Sequence, residues 1–132
     1  MKNKNILIVG GQKGIGLSIS KYLINTCKYN AVITSSSKIS KKKLFYNNCK
    51  QFKIDFANLD NLSQFYKFLK LSKISKFDTA IICAGTLGKI GKFEKTTIQS
   101  YKKTFQINLF GQVELSKFLI KKKLLKSNSN LI

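Results

Sequence analysis

The chain has 132 residues and a formal net charge of +20, with 43% hydrophobic residues. This length suits one domain with its own core and leaves no room for a second, and the hydrophobic share argues against disorder. The charge raises nucleic acid as a partner, but every basic residue is Lys and none is Arg, the residue favoured for bidentate contacts to phosphates and bases, so a specific nucleic-acid function is not expected.

Residues Ile6–Val9 form a continuous apolar run of strand length, as in a strand buried on both faces. A glycine cluster follows, and from Ile15 the apolar residues Ile15, Ile19, Leu23 and Cys27 recur every four positions, which predicts a helix with that face inward. Ala31–Thr34 reads as a second strand ending in serines, and "QFKIDF" as a third, closed by Asp55. Leu62, Phe65, Tyr66 and Leu69 stand at i, i+3, i+4 and i+7 of a second helix, with Asn58 as its expected N-cap. "FDTAIICAG" predicts a fourth strand. A long helix is expected from about Thr97 to Lys123, with Phe105, Leu109 and Val113 on one side, and "NSNLI" reads as the opening of a fifth strand. Strand and helix alternate throughout, without repeats or a linker. That order specifies an α/β fold, a doubly wound parallel sheet with helices on both faces. In such folds ligands bind outside the carboxyl ends of the strands.

Cys27, Cys49 and Cys83 are odd in number and show no metal-binding spacing, so free thiols in a reducing compartment are expected and no metal. No apolar run approaches transmembrane length, and the apolar part of "MKNKNILIVGG" is too short for a signal peptide. A cytoplasmic protein without a membrane partner is the expectation.

The glycine cluster admits a specific reading. "GQKGIGLS" has the first spacing of a nucleotide-triphosphate loop, but Leu17 stands where a Lys must reach the β- and γ-phosphates. What fits is GxxxGxG, with Gly10, Gly14 and Gly16 between a strand and a helix. Gly10 turns the chain off the strand, Gly14 lets backbone N–H groups approach a pyrophosphate, and Gly16 lets helix and sheet pack closely. A glycine-rich turn without a ligand is the alternative. The end of the second strand carries no acidic residue to bind a ribose 2′-hydroxyl. Ser35, Ser36 and Lys38 there, with Lys13 beside Gly14, are donors suited to a 2′-phosphate, so NADP(H) is expected over NAD(H). In a chain this rich in Lys, both lysines could also be coincidental.

At these residues the chain resembles the short-chain dehydrogenases/reductases. "VGGQKGIG" looks like their TGxxxGIG segment, Asp55 matches their adenine-contacting Asp after the third strand, "ICAG" at Ile82–Gly85 matches their NNAG, and "FQINLFGQVELSKFL" matches the helix bearing their catalytic Asn, here Asn108. The resemblance runs over the whole chain in the expected order. It implies an NAD(P)-binding Rossmann fold, incomplete at its C-terminus. It also implies cofactor contacts from Gly10, Gln12, Lys13, Gly14, Ile15, Gly16, Ser35, Ser36, Lys38, Asp55, Phe56, Ala84 and Gly85. Asn108 would hold a proton-relay water. The reaction implied is hydride transfer between nicotinamide and a small-molecule carbonyl or alcohol substrate, in a full-length protein that is a homo-oligomer through the long helix. Val9 replaces the family's usual Thr, and Ile82 and Cys83 replace two Asn, which removes polar groups that brace the loops.

The family's Ser and Tyr-x-x-x-Lys should follow the fifth strand, and the chain ends at Ile132 before either. Tyr46 with Lys50 and Tyr66 with Lys70 match the spacing, but both are expected to be decoys away from the nicotinamide. The expectation is therefore an N-terminal fragment of an NADP(H)-dependent oxidoreductase, inactive alone, since a stop inside a strand would leave an unpaired sheet edge. The alternatives are a non-catalytic dinucleotide-binding sensor or scaffold, and a basic α/β domain that binds polyanions.

Overall fold

A computed structural model describes residues 4–37 and 48–132. Five parallel strands lie in the order β3-β2-β1-β4-β5. They are β1 (Asn5–Val9), β2 (Asn30–Ser35), β3 (Cys49–Lys53), β4 (Phe77–Ile82) and β5 (Leu125–Leu131). Helix α1 (Gly14–Lys21) runs on into a π-helical turn at Tyr22–Thr26, and α2 spans Leu62–Leu71. Helix α3 (Ile98–Phe105) passes through a second π-helical turn, Gln106–Phe110, into α4 (Gly111–Lys121). Among the described residues no helix is long and apolar enough to cross a membrane.

The apolar run of β1 is divided by the two-residue period of a strand. Ile6 and Ile8 join Ala31, Ile33 and Ile24 in a cluster under α1, while Leu7 and Val9 join Val32, Phe65, Leu69, Leu115 and Leu119 under α2 and α4. Both faces of β1 are thus covered, as expected of a central parallel strand.

Three details depart from the sequence reading. In the first helix Ile15 is 78% exposed, and the innermost line is Gly16, Ser20 and Ile24. Small residues at the first two positions let the helix start sit against the strand ends, which no apolar periodicity signals. The second helix is preceded by Asn61, not capped by Asn58; the Asn58 side chain accepts from the Asp60 N–H in a turn ahead of it. The long helix runs as expected, from Ile98 to Lys121 through its π-helical turn, with Phe105, Leu109 and Val113 on one exposed side and Leu115 and Leu119 buried. Finally, β5 begins at Leu125, ahead of "NSNLI". It pairs Phe77 with Leu125, then skips to pair Thr79 with Asn130, and such an irregularity hides the strand's alternation.

Candidate functional site

The site is built at the carboxyl ends of β1, β2 and β4. The Gly10 and Gly11 N–H groups both donate to the Thr34 carbonyl, which carries the chain off β1 toward β2. Gly10 has φ +80°, and a Cβ on it would lie 2.9 Å from the Ala84 backbone. A Cβ on Gly16 would strike the Gly10 carbonyl and come within 3.2 Å of Cys83 Cβ. The first turn of α1 is therefore pressed against the turn from β1 and the segment after β4, and only glycine permits it.

Gly14 differs. Its φ is +52°, and a Cβ there would meet nothing within 4 Å. The protein leaves open the space that the Gly14 backbone faces. The first helical bond of α1 runs from the Leu17 N–H to the Lys13 carbonyl, so the N–H groups of Gly14, Ile15 and Gly16 have no partner one turn earlier. Lys13 is exposed at the N-cap and its side chain makes no cap bond. A helix start with free amides, no acidic residue in its first turn and an adjacent ammonium suits a diphosphate.

Two residues that the sequence reading passed over support this turn. Buried Ser20 places its hydroxyl 2.7 Å from the Gly16 carbonyl and 3.1 Å from the Gly11 carbonyl. A Cβ on Gly11 would meet both Ser20 Oγ and Ile33 Cγ2 at 2.7 Å. The available signal was a Ser four residues after Gly16, where its hydroxyl can reach back to the helix carbonyl.

The other expected residues have these places. Gln12 is nearly buried, and its amide donates to Gln51 Oε1 at 2.7 Å, tying the turn to β3. Ser35 ends β2, where its hydroxyl shares a hydrogen bond with Ser37 Oγ and accepts from the Ser37 N–H; Ser36 is exposed beside it. Lys38 lies outside the described residues, as does Tyr46. The Asp55 carboxylate accepts from the Ala57 N–H. The Phe56 side chain is buried in the core, against Gly111, and its carbonyl accepts from the Gln106 amide. The Ala84 carbonyl accepts from the Gln112 amide.

Asn108 is held within the second π-helical turn. Its Oδ1 accepts from the Thr86 N–H and its Nδ2 donates to the Thr86 carbonyl, both at 2.8 Å. The side-chain amide thus pairs with one residue's backbone as a neighbouring strand would, and fixes the segment after β4 against the helix. Gly85 packs beside it, a Cβ there lying 3.5 Å from Asn108 Oδ1. The sequence reading named Asn108 and Gly85 but not Thr86, the residue that joins them.

Where polar bracing residues were expected, apolar ones pack. Val9 is buried in the core, and the Cys83 N–H donates to the Val9 carbonyl. Burial raises the Cys83 thiol above its ordinary value, and pushes that of Cys49 in β3 up to about 12. Thr34, the partner of Val9 in the β1–β2 ladder, is fully buried, and among the described residues its hydroxyl has no hydrogen-bond partner.

The remaining Tyr-x-x-x-Lys pair lies elsewhere. Tyr66 and Lys70 border a cavity with Ile74 and Leu124, next to the amino ends of β4 and β5. Asn108 and the glycine turn lie at the carboxyl ends, across the length of the sheet.

Comparison with known proteins agrees with this geometry. The family model described as short chain dehydrogenase matches residues 4–132. An uncharacterized oxidoreductase of Schizosaccharomyces pombe is 31% identical over 117 residues, covering 89% of this chain and 47% of that protein. A short chain dehydrogenase family protein from Francisella tularensis superposes with a TM-score of 0.74 at 22% identity, over 98% of this chain and 49% of its own. 4-Hydroxyisoleucine dehydrogenase, complexed with NADH, gives 0.72 at 26% identity, over 91% and 49%. ElxO with NADP bound gives 0.74 at 26% identity, over 90% and 50%. The chain spans about half the length of these relatives. With the parallel sheet, the glycine turn and the matching segments in order, the chain belongs to the short-chain dehydrogenase/reductase family of oxidoreductases.

Proposed function

We propose that residues 1–132 form a single dinucleotide-binding unit, the N-terminal part of an NADP(H)-dependent oxidoreductase acting on a carbonyl or alcohol. The observation that carries this reading is Gly14, where a left-handed backbone, an open approach and three free helix-start amides coincide. NADH in one relative and NADP in another support a nicotinamide dinucleotide as the ligand class. When bound, that cofactor supplies hydride exchange at a substrate carbon.

The chain's own residues bind and orient it. The Gly14–Gly16 amides hold the diphosphate, Lys13 and the end of β2 take the 2′-phosphate, and Asp55 and the Phe56 backbone border the adenine. Ala84 and Gly85 flank the ribose-facing side of the turn, and Asn108 fixes the Thr86 segment and positions a water for proton transfer. The proton donor is not Tyr66, which lies at the other end of the sheet. A cytoplasmic location and a homo-oligomer of the full-length protein complete the reading; the exposed row Phe105, Leu109 and Val113 supports the latter.

Affinities for NADPH and NADH measured side by side test the cofactor preference. NADPH is expected to bind more tightly, and Lys13→Glu to weaken NADPH by about tenfold with little effect on NADH. Equal affinities would overturn the preference. Carbonyl-dependent NADPH oxidation by the 132-residue chain is expected to be absent; turnover abolished by Tyr66→Phe would overturn the assignment of Tyr66.

A further inference from the structure

The cavity at the amino ends of β4 and β5 has a volume of about 310 Å³. This lies at the lower end of the range of small-molecule sites. Its floor is apolar, made by the buried Leu69, Ile74 and Leu124. Three lysines, Lys70, Lys73 and Lys122, border it, and among the described residues no acidic side chain lines it. The Tyr66 ring forms one wall and is steadied edge-on by Phe118 at 6.4 Å.

The lysines are arranged about that ring from two different helices. Lys70 Nζ, from α2, lies 4.7 Å from the ring centroid, and Lys122 Nζ, just past α4, lies 5.3 Å from it. Two ammonium groups thus lie against one ring, and with Lys73 they give the cavity a positive border.

Lysines commonly end helices because they neutralise the last carbonyls. Here most of those carbonyls have other donors. In α2 the Ser72, Lys73 and Ile74 N–H groups donate to the Phe68, Lys70 and Leu69 carbonyls, and Lys50 Nζ donates to the Ser72 carbonyl. In α4 the Lys122, Lys123 and Leu124 N–H groups serve Phe118, Ile120 and Leu119 in the same way. The ammonium groups of Lys70 and Lys122 are left facing the ring and the cavity.

We propose that this cavity is a binding site for a small organic phosphate, separate from the dinucleotide crevice. The dianionic head sits among Lys70, Lys73 and Lys122, which act as point charges. The body of the ligand lies on Tyr66 and the apolar floor. A monocarboxylate would leave more of the positive charge unmatched, and a concave floor of this volume fits a small ligand better than an extended polymer.

The test is titration of the isotope-labelled 132-residue chain with phenyl phosphate at constant ionic strength, followed by amide NMR shifts. Saturable shifts are expected at Tyr66, Lys73, Ile74 and Leu124, with inorganic phosphate binding at the same place at least fivefold more weakly. Lys70→Gln with Lys122→Gln is expected to weaken phenyl phosphate at least fivefold. The charge-matched pair Lys95→Gln and Lys102→Gln, both exposed and remote from the cavity lining, should leave it unchanged. Shifts confined to Gly10–Gly16, unsaturable shifts spread over the exposed lysines, or equal weakening by both double variants would overturn the proposal. Equal affinity for inorganic and phenyl phosphate would also overturn it, since the floor would then play no part.

Discussion

The two ends of the sheet make their tight turns with different residues. At the carboxyl ends of the strands the left-handed backbone is taken by glycine, at Gly10 (φ +80°) and Gly14 (φ +52°). At the amino ends it is taken by lysine: Lys28, Lys73 and Lys123 have φ of 59°, 57° and 53°. Each of these lysines follows a helix and precedes an apolar residue, Tyr29, Ile74 or Leu124, whose N–H reaches back to a helix carbonyl. The backbone requirement is similar, so the difference lies in what surrounds it. At Gly10 a Cβ has no room, and at Gly14 the space is open, as the proposed cofactor site requires. At the helix ends the three lysines are exposed, and lysine is tolerated at a modest conformational cost.

The largest expected effect tests the steric side of this comparison. Gly16→Ala drives a Cβ into the Gly10 carbonyl and toward Cys83, and should destabilise the chain by about 3 kcal/mol. Urea unfolding would register this as a lower midpoint. An unchanged midpoint would mean that helix and turn can separate without cost.

A smaller effect of opposite sign is expected from Thr34→Val at the same end. The change removes a buried hydroxyl without a partner while keeping its shape. It should stabilise by about 1 kcal/mol, and a loss of stability would show that the hydroxyl is satisfied in solution.

At the other end, Lys73→Gly and Lys123→Gly should each stabilise by about 0.5 kcal/mol. Relief of the left-handed strain is there partly offset by the greater freedom of glycine in the unfolded chain. Thermal unfolding of the single and double variants checks both the sign and the additivity. Destabilisation would place a structural contact on these lysines that outweighs the backbone.

An effect of the same size, confined to part of the pH range, concerns Asp78 at the amino end of β4. Its hydrogen bond to Lys126, together with the Asn5 N–H and the charges of Lys126 and Lys4, holds its carboxyl below the ordinary value of 3.8 despite partial burial. The stability it contributes is present above the unfolded value and is lost as pH falls through the folded one. Asp78→Asn should therefore cost about 0.5 kcal/mol at pH 7 and nothing below the folded value. A stability difference that persists undiminished at pH 2 would assign the effect to packing.

Much of the fold was legible because a parallel sheet covered on both faces demands apolar runs, and those runs alternate with helical periods. The first four strands and the order of elements follow from this. The inner face of the first helix did not, since its innermost line begins with the small residues Gly16 and Ser20, which leave no apolar period. In the site, Gly10, Gly14, Gly16 and Asn108 could be read from spacing and resemblance. Ser20, Gly11 and Thr86 could not, because their roles depend on partners that only packing brings near.

By itself, then, the sequence determined the architecture, the family and the place of the glycine turn, because these rest on local periodicity and on the geometry of single residues. Tertiary structure alone separated the two ends of the sheet. It set Tyr66–Lys70 far from Asn108, closed the Asn108–Thr86 clamp, and gathered lysines of α2 and α4 around one ring. Each of these joins residues distant along the chain, and spacing along the chain does not encode such distances.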